Sequence, residues 1–380
     1  MASTPVSPVR YRTRHQPGTG RLARLVLVLT GLVAVLAIGP ILWGIIAGDA
    51  KQGPGSAFAA APPGTYALVT RTEGSVDVIA AVRVDQPASP IEIARVPHLE
   101  GFRTRGAVDP SGRFAALVVV DGGSPVQPHA SLIVVDLQRG VAERLVSGID
   151  PLQMPLWTTT GDAVIVTRPS AAPSSGGAAV DLLEVRLDGA VRLRWSQAAL
   201  ALAPVGWKDG RLLAVAVDAR GSTLQADGQD LLHLSTSITR DWALAPDGSA
   251  IAFVEVSTDS GVRYSARVAV LDGAVAARAQ ALSAPGIEAL GAAWAPGGSP
   301  TFGAVPRHDV VMGDASAQSL RDAPGFDVPL GYSPDGSHLV VMHWNGSSFA
   351  SPGRPELQVI GPAGRAAIPG FEGFLGWARR

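Results

Sequence analysis

The chain has 380 residues, 47 % hydrophobic and 17 % charged, so it carries ample core material, and its composition confines disorder to the first 65 residues. Basic and acidic side chains nearly cancel, 31 against 32, which excludes a nucleic-acid surface spread over the whole protein. With no cysteine, disulfides, thiolate metal sites and cysteine nucleophiles are excluded.

Leu25 to Ala47 contains no charged residue. At ~1.5 Å per residue such a helix reaches ~34 Å, enough to cross a ~30 Å hydrocarbon core. Gly39-Pro40 falls inside it, where a membrane helix tolerates proline, and Trp43 lies near its far end, where interfacial aromatics belong. Arg10, Arg12, Arg14, Arg21 and Arg24 precede the stretch, and Asp49 and Lys51 follow closely. The positive-inside rule therefore predicts a cytoplasmic tail at 1–24, one transmembrane helix at 25–47 and export of the remainder. Ala57-Phe58-Ala59 fits a small-x-small cleavage pattern, but the apolar stretch exceeds the ~7–15 residues of a signal-peptide core, which favours a retained anchor. Residues 48–64, rich in Gly, Ala and Pro, read as a linker.

Thr65 to Arg71, Val76 to Val82 and Ile91 to Val96 supply three strand-like runs with no turn motif in front of them. A punctuated unit then recurs: an aromatic or aliphatic residue, a short turn ending in Gly, and an apolar run. Its copies are Val108-Asp109-Pro110-Ser111-Gly112, Trp157 to Gly161, Trp207-Lys208-Asp209-Gly210, Leu244-Ala245-Pro246-Asp247-Gly248, Trp294-Ala295-Pro296-Gly297-Gly298 and Tyr332-Ser333-Pro334-Asp335-Gly336. The turn glycines are 49, 49, 38, 50 and 38 residues apart, the period of four-stranded propeller blades. In the first copy Phe102 to Val108 is expected as an inner strand and Phe114 to Val120 as a second, broken at Asp121-Gly122-Gly123-Ser124. Leu132 to Val135 and Ala142 to Val146 complete the blade.

Further blades are expected to start near Pro151, Ala203, Thr239, Ile287 and Phe326; Pro300 and Gly303 make the one beginning near Ile287 the most irregular. Phe374 to Ala378 reads as an inner strand that stops where its turn should begin, supplying what the N-terminal strands lack. The predicted fold is all-β: a seven-bladed β-propeller over 65–380, with six blades as the alternative, preceded by the transmembrane helix.

The Ser333-Pro334-Asp335-Gly336 and Ala245-Pro246-Asp247-Gly248 turns, each followed by a strand such as Ile251-Ala252-Phe253-Val254, resemble the TolB-type, WD40-like repeat of bacterial envelope propellers. The resemblance covers roughly residues 65–380. It implies the fold, and it admits periplasmic protein-binding scaffolds, peptidase-fused propellers and ligand-binding sensors.

No Gly-x-Ser-x-Gly elbow, Walker or Rossmann glycine pattern occurs. His338 and His343, five positions apart on one run, fall on opposite faces and do not form a metal pair. Candidate binding residues are those expected where inner strands begin at the channel mouth: Arg103, Arg105, Gln153, Arg240, Asp241, Glu288 and Asp327. Arginine forks there suit carboxylates of an acidic peptide or a small anion. The sequence is read as a non-enzymatic, cofactor-free interaction module anchored in the cell membrane, its propeller outside the cytoplasm and its partners other envelope proteins or peptides. A small-molecule binding or sensing domain is the alternative, and a propeller hydrolase a more distant one.

Overall fold

The computed structural model describes residues 56–170, 179–258, 261–271, 280–281, 288–298, 300–305, 325–348 and 350–380. The expected tail and transmembrane helix lie outside these residues; among the described residues no helix is long and apolar enough to cross a membrane.

Apart from a short 3-10 turn at Ala57–Ala60, the described elements are strands. In chain order they begin with β1 (Thr65–Glu73), β2 (Val76–Arg83) and β3 (Ile91–Pro97). A first complete set follows: β4 (Arg105–Val108), β5 (Phe114–Ser124), β6 (Gln127–Asp136) and β7 (Val141–Ile149). Next come β8 (Leu156–Trp157), β9 (Ala163–Pro169), β10 (Ala179–Arg186) and β11 (Val191–Ala198). The third set is β12 (Ala201–Lys208), β13 (Arg211–Asp218), β14 (Gly221–Ala226) and β15 (Gln229–Ser235). The fourth is β16 (Ile238–Leu244), β17 (Ala250–Ser257), β18 (Arg263–Val270) and β19 (Gln280–Ala281). Then follow β20 (Glu288–Trp294) with β21 (Pro300–Val305), and β22 (Phe326–Tyr332), β23 (Leu339–Trp344), β24 (Pro355–Gly361) and β25 (Gly364–Ala367). The last strand is β26 (Gly373–Arg379).

These strands form antiparallel sheets in which sequence neighbours pair, with one exception: β26 heads the N-terminal sheet in the order β26-β1-β2-β3. First strands touch in succession from β26 through β4, β8, β12, β16 and β20 to β22. Trp377 of β26 donates its indole N–H to the Gly331 carbonyl of β22 at 3.3 Å and completes the circle. The molecule is a β-propeller. Six of its sheets have four strands, the blade count of the alternative reading; seven complete blades are not present among the described residues. The remaining sheet, β20-β21, has two described strands, and Pro300 and Gly303 fall in the second of them.

The apolar runs are nearly continuous because each sheet is covered on both faces. In β1, Leu68 joins a core with Ile79, Leu117, Val119 and Ile133, whereas Ala67 and Val69 join a separate core with Val340, Leu357 and Phe371. Period-two alternation thus sends one residue to the preceding sheet and the next to the following one.

The repeated turns have a common construction. A side-chain oxygen at the first turn position accepts the backbone N–H five residues on: Asp109 from Phe114 at 2.6 Å, Thr158 from Ala163 at 3.2 Å and Ser333 from His338 at 2.9 Å. Gly112, Gly161, Gly248 and Gly336 take φ of about +71 to +73°, the conformation that closes each turn. The turns adjoin around one face of the ring: Gly161 lies against Asp109, Gly248 against Lys208 and Gly336 against Pro296. Aspartates 247 and 335 serve their own turns, each accepting from the serine two residues on.

Two local expectations change. The Asp121-Gly122-Gly123-Ser124 run does not break the second strand; β5 and β6 stay paired to Ser124 and Gln127. Gly123, at φ +85°, is needed because a Cβ there would meet the Gln127 carbonyl at 2.2 Å. The expected linker also ends early. Phe58 is 1 % exposed in the core shared by the first two sheets, edge-on to Tyr66 at 5.2 Å, and Arg380 stacks over its ring.

Candidate functional site

Antiparallel pairing puts the starts of the first strands at the end of the ring opposite the Asp-Gly turns. Arg105 opens β4 there. It is exposed, yet protein crowds it enough that burial lowers the guanidinium pKa. Asp150 opposes that shift, and the positive charge of Arg240 adds to it. Arg105 and Arg240 belong to the first strands of the first and fourth sets, β4 and β16.

The backbone of Leu152 organises the Arg105 side. Its carbonyl accepts from Arg105 Nη1 at 3.1 Å, while its N–H donates to Asp150 Oδ1 at 2.8 Å. Asp150 is half-buried, and its pKa is raised, first by burial, against the pull of that N–H and of Arg105. Arginine and aspartate are thus fixed to the backbone of one residue without forming a direct ion pair. Leu152 and Met154, on the same connection, expose 55 % and 45 % of their surface.

Arg240 sits where β16 bulges between Arg240 and Ala243. Asp241 takes φ +53°, a left-handed conformation that aspartate tolerates better than most side chains. The turn aims its carboxylate at two donors: Arg240 Nε at 3.1 Å and the backbone N–H of Gly291 in β20, also at 3.1 Å. Asp241 is therefore a strut between neighbouring sheets as well as a partner for Arg240.

The other candidates divide. Arg103, just before β4, pairs with Glu372, just before β26, at 2.6 Å and bridges the closing seam in the open. Gln153 is half-buried in the connection ahead of β8, and Glu288 is half-buried at the start of β20. Asp327 is 2 % exposed and turned into its own sheet, where Arg365 grips both its oxygens at 3.0 and 2.9 Å and His343 Nδ1 donates at 2.7 Å. It is part of a polar row through the blade and belongs to the scaffold. Asp150 and Leu152 are the residues missed; the signal was an acid directly ahead of the expected blade start at Pro151. Among the described residues, no group of three or more histidine, aspartate or glutamate side chains is placed to hold a metal ion.

No family model matches the chain, and no curated protein sequence matches it. Solved structures similar to it include TolB from Acinetobacter baumannii, at 14 % identity over 83 % of this chain and 67 % of that one, TM-score 0.48. A putative TolB from Agrobacterium tumefaciens is similar at 13 % identity over 80 % and 91 %, TM-score 0.45. A putative 6-phosphogluconolactonase from Bacteroides uniformis is similar at 12 % identity over 82 % and 96 %, TM-score 0.48. The fold assignment rests on the sheet order itself: the chain is a β-propeller whose repeat resembles the TolB type.

Proposed function

We propose that this chain is a membrane-anchored propeller of the bacterial cell envelope that binds other proteins at its channel mouth and carries out no reaction itself. The uncharged run from Leu25 to Ala47, with five arginines ahead of it, supports an anchor with a cytoplasmic tail at 1–24 and export of 65–380. We place β20-β21 as the inner half of a seventh blade, since β20 touches the first strands on both sides.

The observation that carries the reading is that Arg105 and Arg240 lie near the starts of first strands at one end of the ring, neither of them built into a buried ion pair. Guanidinium groups at one end of the ring suit an acidic partner. Affinity capture from detergent-solubilised membranes tests this with the wild type and an Arg105→Glu/Arg240→Glu double variant. The double variant is expected to lose the co-purifying proteins at an unchanged melting temperature, because exposed charges contribute little to folding. Recovery of every partner by a stable double variant would remove the mouth as the binding face.

A further inference from the structure

We infer that the outer edge of β11 takes an extended segment of a partner protein in which apolar and acidic residues alternate. This surface is separate from the mouth and does not depend on it. β11 ends its sheet in the order β11-β10-β9-β8, so one side of its backbone has no neighbouring strand. Among the described residues, no backbone hydrogen bond reaches Val191–Ala198 from outside that sheet. An open edge of this kind accepts an added strand through main-chain hydrogen bonds.

Register dictates what that strand carries. Val191 opposes Val185 and Leu193 opposes Leu183. Val185 and Leu183 are buried in the core shared by β5, β6, β9 and β10, yet Val191 and Leu193 expose 46 % and 53 % of their surface. One apolar face thus runs out past its core into the open. Arg192 alternates to the other face, opposite Glu184. Glu184 is taken by Arg194 at 2.9 Å, and Arg194 also meets Asp227 at 3.3 Å. Arg192 itself is exposed and, among the described residues, has no carboxylate within ion-pair distance. A strand laid beside Val191–Leu193 therefore covers them with apolar side chains and offers Arg192 a carboxylate. The pairing with β10 skips Arg194, a bulge that ends the regular edge and keeps the added segment short. A second copy of the chain fits worse: antiparallel pairing that brings Leu193 to Leu193 sets Arg192 against Arg194, a repulsive match.

Fluorescence anisotropy on the full chain in detergent micelles tests this with a labelled Glu-Val-Glu-Val-Glu-Val peptide and its lysine counterpart, Lys-Val-Lys-Val-Lys-Val. The acidic peptide is expected to bind, and the lysine peptide about tenfold more weakly. Its binding should slow hydrogen exchange along Val191–Ala198. Arg192→Glu should invert the preference in favour of the lysine peptide, and Leu193→Thr should weaken the acidic one about threefold. Both side chains are exposed, so melting should stay unchanged and the inversion itself reports a folded edge. Two versions of the acidic peptide, N-methylated at alternate residues, separate strand addition from side-chain contact. One should bind and the other fail, because only alternate N–H groups face the neighbouring strand. Equal binding of both methylated peptides, no inversion by Arg192→Glu, or no binding of the acidic peptide would overturn the proposal. Dimerisation of the chain that Leu193→Thr abolishes, seen by light scattering, would also overturn it, since a second copy would then hold the edge.

Discussion

The indole N–H of Trp207 donates to the backbone carbonyl of Trp157 at 2.9 Å, and Trp157 in turn donates to the carbonyl of Ala107 at 2.9 Å. Trp294 does the same to Ala243 at 2.7 Å, and Trp377 to Gly331. Each donor sits at or near the end of a first strand and each acceptor at the matching level of the preceding one. The recurrent tryptophan is thus a latch between sheets, and in the Tyr332 sheet a hydroxyl contact to Thr301 at 2.7 Å takes its place.

Replacing Trp157 separates the latch from the packing. Trp157→Phe keeps most of the buried ring and should cost about 1 kcal/mol, the worth of a hydrogen bond. Trp157→Ala also empties a site only 5 % exposed and should cost about 3–5 kcal/mol. Urea unfolding of the two variants reads the difference, and an unchanged stability of Trp157→Phe would mean that the indole N–H contributes nothing.

Removal of Phe371 to Arg380 deletes the first strand of the closing sheet and the buried residues Phe371, Leu375 and Ala378. The edge of β1 would be bared to other chains. The truncated protein is expected to melt far lower or to aggregate, seen by thermal denaturation followed with light scattering; an unaltered melt would show that the ring does not depend on this strand.

Phe58→Ala should cost about 3 kcal/mol, because the ring is buried in a shared core and packs edge-on to Tyr66. Limited proteolysis should also begin cutting around residues 56–61 in the variant, where the wild type resists.

The buried Asp77–His98 pair, 3.4 Å apart, predicts a stability plateau. Burial works against charge on both groups, and hydrogen bonding outweighs it. Asp77, close to His98 and bonded by the Thr72 hydroxyl and the Thr104 backbone N–H, is lowered from 3.8 to about 2, and His98 is raised above its ordinary 6.5 by Asp77 and the Leu99 carbonyl. The aspartate's contribution is complete above pH 3.8 and is lost as pH falls towards 2. That of the histidine is complete below pH 6.5 and is lost as pH rises through its raised value. Denaturation at a series of pH values should show Asp77→Asn destabilised by about 3 kcal/mol on the plateau, with the gap narrowing on both sides. A gap independent of pH would contradict the pair.

Protease applied to spheroplasts should digest the propeller and spare residues 1–24. Protection of the propeller until lysis would reverse the proposed topology.

The ring was legible because its punctuation is chemical. Only a side chain with a short-range acceptor can serve the N–H five residues on, so Asp109, Thr158 and Ser333 mark their turns whatever surrounds them. The sequence located Arg105 and Arg240 near the starts of first strands, and it misplaced Asp327, which is turned into its own sheet. The difference is one of parity: first strands carry bulges, such as that between Pro329 and Gly331, and a side chain one position along points into the sheet instead of the channel. Phe58 was hidden by its neighbours, since a lone aromatic in a Gly/Ala/Pro tract weighs little in any composition, yet it is the one residue there with a ring to bury. The Gly122-Gly123 pair misled, because close approach of the paired strand at residue 123, not a reversal, demands a glycine there.

Thr65 pairs with Arg379, 314 positions away, whereas the other sheets pair residues that are near neighbours in sequence. Closing a loop costs about 0.6 kcal/mol more for each doubling of its length, so this pairing starts roughly 1.5 kcal/mol behind one spanning a single repeat. The N-terminal sheet should accordingly be the last to assemble and the first to breathe. Opening of the ring then has a fixed address, the seam where Gly64 and Arg380 exchange backbone bonds at 3.0 Å and where the Phe58 ring is tucked under a guanidinium. Loss of the clasp should therefore be felt in refolding rate before it is felt at the distant mouth.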